Sequence, residues 1–323
     1  MSNILISSAG QRVSLVNAFK NEFRKIYSEG KVFANDANPE LAPACQIADG
    51  YFKVPYLNNK NYVDILIEKC ISNNIKIIIP TIDTELLLLA RNREQLLKNN
   101  IEPVISSVSF INKCQNKRLI HKFFNERNIK TAKEFKKNNY SLPLYIKPID
   151  GSRSQNNFII KSENELNNYH YNNDNLMFLE YINSSKYDEF TCDLYYGRDN
   201  KLKCVVPRKR IDVRDGEVTK SKTVKNNILI DTITKNLSII DGAQGCLTSQ
   251  FFKHKENNEI IGIEINARFG GGFPLSYFAG ANFPEWIIME YFSNESIKPN
   301  NDWDDNLLML RYYKEILIRD SNV

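Results

Sequence analysis

Residues Leu247–Gly272 read LTSQFFKHKENNEIIGIEINARFGGG. Two runs, CLTSQFFKH and EIIGIEINARF, flank a polar turn, the pattern of two paired strands. On the strand Ile260–Ala267, Glu264 and Asn266 are two positions apart and share one face. Gln250 lies on the preceding strand and can face them across the sheet. Three oxygen-bearing side chains converging among Ile and Phe suit a hard cation such as Mg²⁺. Arg268 follows on the same face, which places an anion beside the cation. The run Gly270-Gly271-Gly272 lets backbone N–H groups approach a ligand closely. Glu-x-Asn-x-Arg alone reads equally well as the solvated face of an antiparallel strand; Gln250 and the three glycines favour a site.

Working outward, the same style of strand pairing fills the chain back to about Phe110. LPLYIKP (Leu142–Pro148) is a strand followed by the loop DGSRSQNN, and LMFLEYI (Leu176–Ile182) is another. FTCDLYYG and KLKCVVPRKR pair around Arg198-Asp199-Asn200. ILIDTITKNLSII and ANFPEWIIMEYF are helical, and LMLRYYKEILI (Leu308–Ile318) is expected to close the sheet as a strand. Antiparallel strands with a few helices indicate an α+β unit. Before Phe110 the pattern differs. ILIS, KVFAND, YFKVP, IKIIIP and IEPVIS are short strands separated by amphipathic segments such as VSLVNAFKNEFRKI. That alternation predicts a parallel sheet with helices on both faces. TELLLLARNREQLLKNN and NKCQNKRLIHKFFNERN each read as one helix.

Further candidates carry charge at strand ends. Lys147 ends an apolar strand, and the loop Gly151-Ser152-Arg153-Ser154 follows at once. A point positive charge beside unobstructed N–H groups suits phosphate, although no Walker A pattern is present and the segment read alone is more simply an ordinary turn after a surface lysine. Glu180, Tyr181 and Ile182 can offer backbone groups and an apolar wall to a nucleobase, and Glu189 on the next strand can accept from ribose hydroxyls; read alone, the segment is more simply a strand–loop–strand with solvated acids. Arg208, Arg210 and Arg214 alternate along VVPRKRIDVR and are expected on one face, where an anionic small molecule would lie. Asp83 and Glu85 stand just past the carboxyl end of IKIIIP, the edge at which open α/β sheets bind ligands; helix capping is the alternative for Asp83. Ser7–Gly10 after the first strand lacks G-x-G-x-x-G, so NAD is not assigned.

The 323 residues predict two or three domains. Apolar residues at 42% and charged residues at 25% exclude a mainly disordered chain and a disulfide scaffold. Net charge is 43 − 38 = +5, which permits an anionic ligand without requiring nucleic acid. No aromatic residue interleaves with the basic segment Val205–Lys225, so stacking platforms are missing there. No apolar run reaches membrane-spanning length, and the first residues lack the basic n-region of a signal peptide. Six scattered cysteines without a C-x-x-C pair read as reduced thiols in a cytoplasmic protein. Three isolated histidines argue against zinc or a histidine-based triad.

Taken in order, ILISSAGQRVSLV, IIIPTIDTELLLLA, NKRLIHKFF, YIKPIDGSRS, FLEYI…DEFTCD and GIEINARFGGGFPLS resemble the ATP-grasp superfamily, most nearly its carbamoyl-phosphate-synthase-like carboxylate–amine ligases. The resemblance implies a Rossmann-like pre-ATP-grasp domain at 1–108, a central ATP-grasp lobe with the phosphate loop at 109–182 and a C-terminal lobe at 183–323. It implies ATP contacts from Lys117, Lys147, Gly151, Ser152, Ser154, Glu180, Tyr181, Ile182 and Glu189. Gln155-Asn156 departs from the smaller residues common in that loop. Metal ligation would fall to Gln250, Glu264 and Asn266, for Mg²⁺ with Mn²⁺ as the alternative. Arg268, Lys147 and Asn266 would be catalytic. Asp83, Glu85, Arg208, Arg210, Arg214, Gly271 and Gly272 are candidates for the substrate. The implied reaction forms an acyl phosphate from a carboxylate and ATP, then an amide-type bond to an amine. The expected partners are those small molecules, with no nucleic acid or membrane, and a homodimer is the assembly common in the superfamily. A phosphotransferase and a non-catalytic ATP-binding module are the alternatives.

Overall fold

The computed structural model describes residues 2–151, 156–214 and 216–319. Strands β1 (Asn3–Ser7), β2 (Val32–Asp36), β3 (Gly50–Lys53), β4 (Ile75–Pro80) and β5 (Glu102–Pro103) form a sheet in the order β3-β2-β1-β4-β5. Every pairing is parallel. Its helices are α1 (Val13–Ile26), α2 (Pro43–Ile47), α3 (Tyr62–Ser72), α4 (Asp83–Arg91) and α5 (Arg93–Lys98). Alternate strand residues enter opposite cores, as the pleat requires. Ile4, Ile6, Ile77 and Ile79 pack with Phe19 and Phe23 of α1. Leu5 and Ile78 pack with Leu66 of α3 and Leu86 and Leu89 of α4.

Helices α6 (Val108–Gln115) and α7 (Lys117–Asn125) lead to β6 (Lys130–Thr131), β7 (Glu134–Phe135), β8 (Leu144–Pro148), β9 (Phe158–Ile160), α8 (Asn168–Asn172) and β10 (Leu176–Glu180). A small antiparallel sheet has the order β7-β10-β8-β9. The rest comprises β11 (Tyr187–Tyr196), β12 (Leu202–Arg214), β13 (Glu217–Thr223), α9 (Asn227–Asn236), β14 (Gly245–His254), β15 (Ile260–Asn266), α10 (Pro274–Phe278), α11 (Phe283–Phe292) and β16 (Leu308–Leu310). These strands form a large sheet, β16-β13-β12-β11-β14-β15-β6.

Three expectations about elements change. The helix expected over Thr84–Asn100 is two helices, broken where the Asn92 side chain donates to the Leu88 carbonyl at 2.8 Å, a local bond that competes with the helical ladder. The next one divides at Asn116, whose side-chain oxygen accepts from the N–H groups of Arg118 and Leu119 and so starts α7. The closing strand ends at Leu310 rather than Ile318.

The chain passes from the small sheet to the large one between Glu180 and Tyr187. The middle segment is nonetheless shared: β6 pairs with β15 at the edge of the large sheet. Phe110, Ile120 and Phe124 of α6 and α7 also pack with Phe190, Leu247 and Phe251 of that sheet. The two large cores run on between domains. One joins α3 and α4 to β11, β14 and α9. The other joins α1 to Phe269, Phe273 and α11. The parallel domain is therefore fused to the large sheet, and the small sheet stands apart with its own core of Leu144, Ile146, Ile160, Leu176 and Phe178.

Candidate active site

The small sheet turns its other face inward. Tyr145 and Lys147 on β8 lie opposite Leu179 and Met177 on β10, and Lys147, Met177 and Leu179 are buried. The large sheet answers with a polar face. Register places Glu189 opposite Phe252, Thr191 opposite Gln250 and Arg208, and Gln250 opposite Glu264. Its reverse face carries Phe190, Cys192, Phe251 and Ile265 into the core. Strand alternation thus sends the polar residues to one side and the apolar ones to the other.

Gln250, Glu264 and Asn266 are brought together as the spacing predicts. Gln250 Nε2 and Asn266 Nδ2 each donate to Glu264 Oε1 at 3.0 Å. The amide nitrogens face the carboxylate here, and a half-turn of each amide would bring its oxygen beside Glu264 to give three oxygen donors. Among the described residues no group of three His, Cys, Asp or Glu is placed to hold a metal. The donors fit a hard cation of the Mg²⁺ type, which takes oxygen ligands and shares its coordination with substrate phosphates.

Lys147 is 5% exposed, and among the described residues its ammonium has no hydrogen-bond or ion-pair partner. Burial lowers its pKa to about 8; Glu264 pulls the other way and Lys117 adds to the lowering. Lys117 opens α7 and donates from Nζ to the Gly151 carbonyl at 3.1 Å. Gly151 has φ +101° and open space where a Cβ would stand, so this turn needs glycine. The expected Ser152 and Ser154 lie outside the described residues. Glu180 ends β10, and Tyr181 and Ile182 form the crossing to the large sheet. Among the described residues the Tyr181 and Ile182 N–H groups have no protein acceptor. Glu189 forms an ion pair with Arg210 at 3.1 Å, and Arg210 Nη1 donates to Thr191 Oγ1 at 3.3 Å. Burial raises the Glu189 carboxyl above its ordinary range, Arg210 opposes this and Glu264 adds to it.

Asp83 and Glu85 separate. Both fall in the first turn of α4, where residues two apart point to different sides. Asp83 reaches Arg268, whose Nε and Nη2 donate to its Oδ2 at 3.2 and 2.7 Å. Glu85 points inward and is fully buried. It accepts from Ser7 Oγ at 2.5 Å and from the Tyr62 hydroxyl at 2.7 Å. Glu85 therefore supports the first domain and does not face a ligand.

Arg208 is also corrected. Its guanidinium holds Asp193 through Nε at 2.8 Å and Nη2 at 3.0 Å, with the two side chains 1% and 0% exposed. Ser276 and Thr248 donate to the same carboxylate at 2.6 and 3.3 Å. The charge is spent inside the protein. Arg214 is exposed and sits beyond two register shifts between Arg210 and Val213, so the expected alternation breaks before reaching it. The glycine run acts through packing. A Cβ on Gly272 would lie 2.3 Å from Arg208 Nη1, and one on Gly270 would lie 2.9 Å from Thr248 Oγ1. Gly272 makes room for Arg208, and a Cβ on Gly271 would lie 3.0 Å from Arg12 Nη1.

Two residues escaped the sequence reading. His121, one helical turn after Lys117, is buried with Nε2 unpartnered. Burial lowers its pKa to about 4, Lys147 adds to this, and a backbone hydrogen bond with Ile263 acts the other way. It stands as a neutral ring behind the lysines. Arg12 lies at the start of α1 beside Gly271. Both lie inside segments quoted for the resemblance, ILISSAGQRVSLV and NKRLIHKFF, but no role was attached to them, because both acquire their setting from strands distant in sequence.

A parallel α/β domain is thus fused to a small antiparallel sheet and a large, mostly antiparallel one, with a buried lysine facing an acid–amide cluster. The chain is similar to ATP-grasp proteins over its second half. The family described as PylC-like, N-terminal domain, matches residues 4–105. The family described as ATP-grasp in the biosynthetic pathway with Ter operon matches residues 172–310. Solved structures agree in fold. Biotin carboxylase from Campylobacter jejuni, in complex with βγ-ATP, aligns with TM-score 0.72 at 14% identity over 95% of this chain and 74% of its own. An L-amino acid ligase from Bacillus licheniformis gives 0.66 at 17% over 90% and 74%. Rhizobium etli pyruvate carboxylase gives 0.72 at 13% over 95%, but the chain spans only 30% of that protein. No curated protein matches the sequence. Among the described residues no helix is long and apolar enough to cross a membrane.

Proposed function

We propose that this protein is an ATP- and Mg²⁺-dependent ligase that activates a carboxylate as an acyl phosphate and joins it to an amine. The observation that carries this reading is the facing of Lys147, on the small sheet, and the Gln250–Glu264–Asn266 cluster, on the large one. Phosphoryl transfer needs charge neutralisation and positioning more than a protein nucleophile, and this site supplies both without one. The nucleotide lies between the sheets. Glu180, Tyr181 and Ile182 border the base, with free N–H groups at the crossing, and Glu189 takes the ribose hydroxyls. Lys117, Lys147 and the Gly151 turn bind phosphate oxygens. Glu264, with the side-chain amides of Gln250 and Asn266, would hold Mg²⁺, which would supply charge neutralisation at the transferring phosphate.

A substrate carboxylate oxygen attacks the γ-phosphorus, its bond to the β-γ bridging oxygen breaks, and ADP leaves. Arg268 stands next to the acid–amide cluster and stabilises the acyl phosphate. The amine nitrogen then forms a bond to the acyl carbon, phosphate departs, and the nitrogen loses a proton. Asp83 keeps the Arg268 guanidinium oriented from the first domain. The buried Lys147, Met177 and Leu179 of the small sheet cover the half-buried polar face of the large one and help exclude water, which would otherwise hydrolyse the acyl phosphate. The six cysteines are all free thiols, which supports a cytoplasmic setting. The test is ATP consumption measured over pairs of carboxylates and amines, with the product identified by mass. The reading expects ADP, phosphate and an amide, all dependent on Mg²⁺. A stable phosphorylated product with no need for an amine would make the protein a phosphotransferase. Tight nucleotide binding with no turnover across the panel would make it a binding module.

A further inference from the structure

The correction at Arg208 leaves the substrate's anion without its expected holder, and Arg12 is placed to take that part. Arg12 precedes α1, which follows directly on the carboxyl end of β1, and Gly271 packs against its guanidinium. Arg12 forms no ion pair or hydrogen bond through its side chain among the described residues, unlike its neighbours. Arg268 is committed to Asp83 at 2.7 Å, and Arg311 to Glu217 at 3.3 Å. Among the described residues three guanidinium groups therefore share two carboxylates in this seam, and Arg12 is the one of the three that no carboxylate pairs with. The first turn of α1 contains no acid to offset it. Burial, followed by the charge of Arg268, lowers the Arg12 pKa to about 10, with Glu217 and Asp83 opposing. A cation held partly out of water next to another cation is the setting in which an incoming anion is bound most strongly.

We propose that Arg12 binds the anionic group of the substrate, a carboxylate or a phosphate, in the seam between the first sheet and the Gly270–Gly272 loop. This assignment rests on the ligase reading and adds to it the substrate's charge and point of attachment. The cations facing the nucleotide, Lys117 and Lys147, stand on the other lobe. An anion on Arg12 is held next to Arg268, so its reacting end is directed to the acid–amide cluster. Gly271 serves this arrangement because a side chain there would press on Arg12 Nη1.

The full chain is titrated with acetate and, separately, with inorganic phosphate, each with and without Mg²⁺ and the non-hydrolysable β,γ-methylene analogue of ATP. The analogue occupies the γ-phosphate position, so an added anion reports the seam. Wild type is expected to bind one of the two anions, and the arm that saturates first identifies carboxylate or phosphate as the group recognised. Arg12→Gln should weaken that binding by about tenfold or more, the loss of one charge-assisted contact. Arg12→Lys should weaken it less, because the charge remains. Gly271→Ala keeps the guanidinium but displaces it, and should weaken the anion without unfolding the chain. All three should bind the analogue as wild type does. Equal anion affinity in wild type and Arg12→Gln, or no anion bound by wild type, overturns the assignment. Failure of wild type to bind the analogue would instead refute the nucleotide site, and the analogue-free titrations would still decide Arg12.

Discussion

Replacing Lys147 with methionine should stabilise the nucleotide-free protein while destroying its nucleotide binding. The ammonium is buried and unpaired among the described residues, and its pKa falls from 10.5 to about 8. That gap corresponds to roughly 3 kcal/mol against the charged form at pH 7. Methionine fills similar space without the charge, so it should recover up to about 3 kcal/mol, or several degrees in Tm. The sign with pH follows from linkage. Between about 8 and 10.5 the folded lysine binds fewer protons than the unfolded one, so wild-type stability from this group rises with pH across that window. The advantage of Lys147→Met should therefore shrink to about 1.4 kcal/mol at pH 9.5. Urea unfolding at pH 7 and pH 9.5 reads the difference, and other titrations cancel between the two proteins. Calorimetry with MgATP should show a loss of about a hundredfold in the variant, as expected for a charge-assisted phosphate contact. A variant less stable than wild type at pH 7, with no narrowing at pH 9.5, would refute the claim that Lys147 is a strained cation. Unchanged MgATP affinity would refute its role.

Three other outcomes follow from the same geometry. Glu264→Gln removes the only carboxylate of the cluster and should cut turnover by about a hundredfold or more with little change in Tm; an Mg²⁺ titration of the variant that matches wild type would contradict this. Asp83→Asn weakens the hold on Arg268 and should lower kcat while leaving MgATP affinity intact, which steady-state and binding measurements separate. Burial raises the pKa of the fully buried Glu85, outweighing the hydrogen bonds from Ser7 and Tyr62. Its contribution to stability is therefore full below the ordinary carboxylate range and is lost as pH rises through the raised value. Glu85→Gln should flatten that loss, read as a smaller fall in Tm between pH 5 and pH 8 than wild type shows.

The sequence carried the parts of the fold that depend on periodicity. Alternation along Ile260–Asn266 placed Glu264 and Asn266 on one face, and a hairpin then brought Gln250 opposite Glu264. The apolar runs at Ile4–Ser7 and Ile75–Pro80 announced a parallel sheet, and those strands are neighbours in it. What stayed hidden depends on partners far along the chain. Arg208 looked like a ligand cation because Asp193, which neutralises it, carries no local mark. Glu85 looked equivalent to Asp83 until helix geometry turned the two apart. Asn92 and Asn116 were read as helical residues although their side chains compete for backbone groups. The glycine run looked like a ligand loop, yet two of its members are small because Thr248 and Arg208 occupy the space beside them. Arg12 sat in the SSAGQR loop with no role attached, and its meaning comes from Gly271 on a strand connection at the other end of the chain.

The claim that a carboxylate is activated through its own oxygen is tested most directly by isotope transfer. A carboxylate that supports turnover is labelled with oxygen-18 in both oxygens, and the phosphate released with the amine present is examined by mass spectrometry. The acyl-phosphate route predicts one labelled oxygen in each phosphate formed. Phosphate free of label, with both labelled oxygens retained in the product, would contradict it.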